Sequence, residues 1–120
     1  MKIERFEDIQ SWQKARELVK SIYQATSEGD FAKDYSLKEQ IRRASVSIMS
    51  NIAEGYARQT NREFGQFLHI ALGSVAEVQS QLYIAQDLNY ISKEEFARIY
   101  ELASETARLV TGFIKYLKGK

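Results

Sequence analysis

Residues 64–86 read FGQFLHIALGSVAEVQSQLYIAQ, about six turns of helix with one charged residue, Glu77. Phe64, Leu68, Ala71, Val75, Val78, Leu82 and Ala85 alternate steps of four and three. That alternation is the seam of a helix packed near +20° against its neighbours. The remaining faces are scarcely wetter. Phe67, Ile70, Leu72, Tyr83 and Ile84 are spread over them, beside uncharged Gln66, His69, Gln79 and Gln86. A long helix on the surface of a small protein normally keeps a charged face. A second run, residues 44–53 (ASVSIMSNIA), carries no charge at all. A chain of 120 residues has too little material to wrap two such helices. The expectation is a homo-oligomer assembled through them, with Phe67, Ile70, Gly73 and Ile84 in the interface.

Working outward, three sites share a start signal in which Ser or Thr is followed three residues later by Glu. They are Ser36–Glu39, Thr60–Glu63 and Ser92–Glu95. In such a box the hydroxyl accepts the N3 amide and the carboxylate reaches back to the N-cap amide. Asp8 is the candidate cap for a first helix. The first segment has a seam at Trp12, Ala15, Val19, Ile22 and Thr26. The second runs through Ile41, Ser45, Ile48, Ile52 and Gly55, and the last through Phe96, Ile99, Ala103, Thr106, Val110, Phe113 and Leu117. These patterns predict helices over about 9–27, 37–58, 61–88 and 93–117. The later connectors are short, which makes neighbours antiparallel. The fold class is all-α: a single up-down-up-down four-helix bundle over 1–120, with Phe31 or Tyr35 from the longer first connector closing one end. Trp12 is expected as a core anchor. Gly65 and Gly73 cost about 1 kcal/mol each against Ala in a helix. They are expected where another helix, of the same chain or a neighbour, approaches closely, with Ser45, Ser47, Ser50 and Ala53 as the matching surface.

Composition removes several chemistries. There is no cysteine, so disulfides and thiolate metal sites are excluded. There is no proline, and nothing forces a helix to break. The start, Met1-Lys2-Ile3-Glu4-Arg5, has no apolar signal region. The long uncharged segment is too polar to span a bilayer. The expected location is the cytoplasm, without membrane contact. His69 is the sole histidine, and Gln66 stands three residues before it where a di-iron bundle needs Glu. It is expected to pack or to line an interface. No nucleophile is presented beside it, and no glycine-rich loop cradles phosphate. Glu54 and Glu77 are the acids nearest the uncharged runs. Arg58 stands four residues from Glu54, so an ion pair is expected there in place of acid–base catalysis. No enzyme, cofactor or metal is expected.

The net charge of +1 does not by itself signal nucleic acid. Arginines nevertheless concentrate around the second connector. Residues whose numbers sum to about 119 lie level across it, so Glu77 is expected to pair with Arg42 or Arg43. Arg58 and Arg62 straddle the connector, beside the anion-attracting amides of the third helix. Repeated around an oligomer, Arg43, Arg58 and Arg62 would form a basic collar for RNA or DNA, since phosphate contacts add with number. Tyrosines such as Tyr56, Tyr83, Tyr90, Tyr100 and Tyr116 offer stacking surfaces, though the core rim is their simpler use.

The stretch Phe6–Ala15, FEDIQSWQKA, resembles the opening F-x-D-L-x-x-W-Q-K-A of the bacterial four helix bundle protein family. Residues 40–44 (QIRRA), 50–55 (SNIAEG), 70–74 (IALGS) and Glu77 are similar to the rest of its signature. The likeness covers nearly the whole chain in order. This family is also called the 23S rRNA-intervening-sequence protein family, because some members are encoded within insertions in large-subunit rRNA genes. It has been labelled ribosomal-protein-like for that reason. The resemblance implies a homopentameric ring and no catalytic residues. A more distant relative, the accessory protein of diversity-generating retroelements, is a basic pentameric bundle that binds nucleic acid. Two departures stand out. Met49 occupies a position where many members carry proline, so the hydrogen bond a proline would remove is retained. The near-neutral charge also differs from the basic relative. The implied role is an RNA- or DNA-associated adaptor, with a protein-interaction scaffold as the alternative.

Overall fold

The computed structural model describes residues 2–119. It contains a short 3-10 turn, Phe6–Asp8, then α1 (Gln10–Ala25), α2 (Gly29–Lys33), α3 (Tyr35–Tyr56), α4 (Asn61–Asp87) and α5 (Lys93–Lys118). All regular structure among the described residues is helical. The four long helices fall within two residues of the expected bounds, and α1 packs on α3 and α5, as α4 does. The molecule is a rod with extents of 46 × 22 × 20 Å.

Two of the three serine/threonine boxes act as caps. Glu63 N donates to Thr60 Oγ1 at 3.1 Å, and Glu95 N to Ser92 Oγ at 3.0 Å. The third does not. α3 begins two residues early because Asp34 caps it, accepting from Leu37 N at 3.1 Å. Ser36 therefore lies inside the first turn, where its hydroxyl accepts from Gln40 Nε2. Asp8 likewise does not cap α1. Its carboxylate accepts from Glu4 N at 3.0 Å, leaving Ile9 as a cap residue without a side-chain bond. α4 ends through Asn89, whose φ of 61° lets Tyr90 N reach back to Ala85 O at 2.8 Å. Asparagine tolerates that left-handed conformation better than most residues.

The seams of α3 and α4 are buried at every expected position. In α1 and α5 the buried stripe is turned slightly. Leu18 is buried and Val19 only partly, and Ile114 is buried where Phe113 was expected. Trp12 is correspondingly not a central anchor. It lies half-buried at the margin, edge-on to Phe6 at 5.2 Å, with the Arg16 guanidinium 5.8 Å from its ring. A side chain of that size fits the edge of the seam better than its middle, and Ala15 and Leu18 take the central places.

The first connector is not a plain loop. α2 lies within it and drives Phe31 into the core at 1 % exposure, stacked on Tyr90 at 5.3 Å. Tyr35 is exposed and has no such role. The glycines also differ from expectation. A Cβ at Gly65 or Gly73 would meet nothing within 4 Å, so no helix of this chain approaches them. Gly55 is the tight position: a Cβ there would stand 2.8 Å from both Phe64 and Phe67.

Candidate functional site

Gly55 shapes the turn between α3 and α4. Without a side chain at the last turn of α3, Phe64 and Phe67 of α4 close directly against it. Phe67 in turn supports Arg58, whose guanidinium lies 4.6 Å from the ring centroid. Glu54 stands 3.8 Å from the same guanidinium, as the four-residue spacing led us to expect. Both partners are substantially exposed, so the pair is worth about 0–1 kcal/mol. Arg62 projects from the first turn of α4, exposed and without a protein partner. Its neighbour Glu63 is occupied by the Thr60 cap.

Chain ends complete this corner. Lys2, Arg58 and the turn residues line one cavity of about 400 Å³, floored by Tyr56, Phe64 and Phe113. Arg62, His69 and Lys118 line a second of about 350 Å³ over Ile114 and Leu117. The two adjoin at Asn61 and Leu117, and neither is lined by a carboxylate. The aromatic floor is continuous. Tyr56 meets Phe64 edge-on at 6.1 Å, Phe64 meets Phe113 at 5.3 Å, and Phe113 stacks on Tyr116 at 5.8 Å. Aromatic faces beside separated cations suit a ligand that is both flat and anionic.

The sequence does not signal Lys2 and Lys118, because they stand near opposite ends of the chain in segments without net positive charge. Bringing the first helix's start, the second connector and the last helix's end together would have placed them there. Arg43 does not join this corner. It sits on α3 about 20 Å away by helix rise, and its guanidinium pairs with Glu39 at 3.0 Å.

The expected ion pair of Glu77 is not formed. Arg42 turns to the end of α1, where Nε donates to Thr26 Oγ1 at 2.8 Å and Nη2 to Ser27 Oγ at 3.1 Å, with the guanidinium 4.3 Å from the Tyr23 ring. Arg43 takes the carboxylate one turn away on its own helix. Level position was a poor guide because Glu77 points outward. On α3 and α4 the groups that do meet are Ser47 and Ser74, whose hydroxyls lie 3.0 Å apart. Glu77 stands exposed on the outer face of α4 with Ile70, Gly73, Ala76, Ser80 and Ile84.

That outer face is uncovered in the single chain. Ile70 is 53 % exposed and Ile84 46 %, while Phe67 is half-buried beneath Arg58. Beside it, Tyr83, Phe96 and Tyr100 form an aromatic cluster with ring separations of 5.0 to 5.7 Å. A hydrogen bond with Tyr83 raises Tyr100 above the ordinary tyrosine range. His69 is exposed, not packed, and its Nδ1 donates to Gly65 O at 2.8 Å. Among the described residues no group of three or more His, Cys, Asp or Glu is placed to hold a metal. None of their helices is long and apolar enough to cross a membrane.

The sequence pattern of the 23S rRNA-intervening sequence proteins matches residues 7–112. The chain belongs to that family. A solved relative is a protein of unknown function from the S23 ribosomal protein family of Bacteroides thetaiotaomicron VPI-5482, 27 % identical. The match covers 88 % of this chain and 98 % of that one, with a TM-score of 0.79. No curated protein matches. The α3–α4 turn and the bare α4 face lie within the matched region, while Lys2 and Lys118 lie outside it.

Proposed function

We propose that this protein is a non-enzymatic, cytoplasmic adaptor that assembles with itself and associates with RNA or DNA through its basic end. The observation that carries the nucleic-acid part is the juxtaposition of Lys2, Arg58, Arg62 and Lys118 over a floor of aromatic rings. Arg62 has no internal partner, and the Glu54 pair of Arg58 is exposed, so both are available to phosphate. The four long helices form an up-down-up-down bundle in this reading. Support comes from cross-helix partners whose numbers rise on one helix as they fall on the other, such as Lys14–Glu105 with Ser21–Arg98. Assembly uses the outer faces of α3 and α4, and on α4 Ile70, Gly73 and Ile84 lie bare. Head-to-tail repetition of one such contact closes as a ring, and five subunits is the number implied by the resemblance. Arg43, remote from the corner in one chain, contributes only if a neighbour's corner comes beside it.

The test is fluorescence anisotropy of labelled RNA and DNA titrated at increasing salt. For each tenfold rise in salt, phosphate contacts make log K fall by about 0.9 per contact on duplex DNA and about 0.7 on single strands. Substituting Arg58 and Arg62 together with alanine is expected to flatten that slope. Absence of binding at low salt would favour the protein scaffold, the reading supported by the apolar α4 face. Light scattering at micromolar concentration tests assembly, and a monomer there would defeat it. An Ile70→Glu variant that stays assembled would show that another face is used.

A further inference from the structure

The buried hydroxyls of this protein have partners, with one exception among the described residues. Thr26 Oγ1 donates to Ile22 O at 2.7 Å, Ser45 Oγ to Arg42 O at 2.9 Å, and Thr106 Oγ1 to Leu102 O at 2.8 Å. Ser74 donates to Ser47, and Ser21 accepts from Arg98. Ser11, 2 % exposed, has no partner for its Oγ. An unmade buried hydrogen bond is destabilising, so a hydroxyl kept in this position points to a partner that the chain does not supply.

Ser11 stands in the first turn of α1, which is the uncapped helix described above. Ile9 occupies the cap position, no acidic residue lies in the first turn, and Asp8 is committed to Glu4 N. The first amide of α1 to find a backbone acceptor is that of Gln13, bonded to Ile9 O at 3.1 Å. The amides of Gln10, Ser11 and Trp12 have none. Gln10 and Ser11 open onto a cavity of about 240 Å³ between the start of α1 and the later turns of α5. Its walls are apolar, formed chiefly by Ile3, Leu109 and Phe113, and Arg108 stands at its edge.

We propose that this cavity binds a small amphipathic carboxylate, with its head on Ser11 Oγ and the free α1 amides and its tail against Ile3, Leu109 and Phe113. The partial positive charge of a helix start selects an anion over an alcohol or an amine. The two oxygens of a carboxylate match one hydroxyl donor and the adjacent amides. Arg108 is held by Glu101 at 2.8 Å, with both side chains about three-fifths exposed. Such exposed pairs are weak and exchangeable, so the guanidinium is free to turn to the ligand. Apolar walls disfavour a fully hydrated anion such as free phosphate. The volume falls below the ~300 Å³ at which drug-sized pockets begin, so the tail is a short chain or one ring. This site adjoins the basic corner, sharing Ile3 and Phe113 with its cavity, but its head-group contacts are separate and it does not depend on the nucleic-acid reading.

The experiment is titration of the full chain with octanoate, octanol and octylammonium, followed by calorimetry and by fluorescence of Trp12, the sole tryptophan. Octanoate is expected to bind about tenfold or more tightly than either analogue. Ser11→Ala is expected to weaken octanoate about five- to tenfold while leaving the thermal midpoint unchanged or higher, since an orphaned hydroxyl is removed. Gly112→Leu is expected to abolish binding. Gly112 lines the cavity, and a Cβ there meets nothing within 4 Å, so the fold accommodates a larger side chain at the cavity's rim, where it obstructs entry. Equal affinity for octanol would overturn the assignment of the head group. Unchanged binding in Gly112→Leu, or no octanoate binding at millimolar concentration, would overturn the site. A Ser11→Ala variant with a clearly lowered midpoint would show that the hydroxyl already has a partner within the protein, which also overturns it.

Discussion

The two ends of this rod are built on opposite principles. At the end holding α2, polar groups are largely consumed internally, Gln81 Oε1 farther along α4 being the buried exception in that half. Asp34 caps α3 with one oxygen and accepts from Tyr90 OH at 2.9 Å with the other. Arg42 is fixed by Thr26, Ser27 and the Tyr23 ring, and Phe31 seals the core beneath them. At the other end Arg62 has no partner, Lys2 and Lys118 line open cavities, and Ser11 Oγ is unsatisfied. An arginine at the first end is structure, whereas an arginine at the second is available. The count of cations in a sequence does not separate these cases, because the distinction lies in what else the topology brings to each end.

The contrast predicts where stability resides. Phe31→Ala is expected to cost about 3–5 kcal/mol, because it empties the plug of the closed end and strips Tyr90 of its stacked partner. Chemical denaturation measures it. A loss below about 1 kcal/mol, the size of a typical surface change, would mean that α2 is an ornament and that the two ends differ less than their geometry suggests.

Glycines sharpen the same comparison. Gly55→Ala is expected to destabilise by about 1–3 kcal/mol through overpacking, since its Cβ would press on Phe64 and Phe67 at 2.8 Å. Gly73→Ala meets open space in one chain and is expected to stabilise it by about 0.5–1 kcal/mol through backbone entropy. Measured on the assembled protein, the sign at Gly73 becomes informative. A loss of stability or of assembly there would place a neighbouring helix against that position.

Much of this is legible in the sequence, and what is not lies in local chemistry and in contacts between distant segments. Because burial of apolar area dominates a small core, periodicity locates all four long helices and the buried seams of α3 and α4, though not Leu37, Ala44, Ser74 and Gln81, which are buried beside them. Local chemistry was read less well. Ser36 was displaced as a cap by Asp34, two residues upstream, and Asp8 was diverted to the turn before α1. Both errors came from choosing among adjacent polar residues whose competition is settled by the connector's path. Gly65 and Gly73 were read as close approaches because a costly residue invites a reason. Within the chain the reason exists only at Gly55. At the candidate site, Arg58 and Arg62 were found from their positions about a turn, whereas Lys2, Lys118 and Ser11 required three distant segments to be brought together. Arg43 joins the corner only in the sequence, where arginines concentrate around the second connector, and helix rise separates it in the fold.

A pH titration probes the closed end more finely. The hydrogen bond to Asp34, followed by desolvation and the nearby negative charges of Asp34 and Asp30, raises the Tyr90 pKa above its usual value. The folded protein therefore holds this proton more tightly than the unfolded chain. The stabilisation is fully present below the ordinary tyrosine pKa of about 10 and is lost as pH rises through the folded value. Tyr90→Phe is expected to remove that part of the alkaline loss. Unfolding midpoints measured between about pH 8 and about pH 11 report it, and parallel curves for the variant and the parent would show that the bond to Asp34 contributes nothing.

The smallest stability effect is expected where the functional effect is greatest. Arg62 and Lys118 lie at the mouth of one cavity, exposed, and no internal side-chain bond depends on either. Replacing both with alanine is expected to leave stability within about 0.5 kcal/mol of the parent. The same change is expected to reduce the salt dependence of polyanion binding by about 0.9 per lost contact on duplex DNA. The two measurements on one variant separate a binding surface from a solvated corner. If stability falls by several kcal/mol, these cations are structural after all and the two ends are alike. If neither quantity moves, the open end is merely unfilled surface, and the apolar face of α4 is left to carry the function through a protein partner.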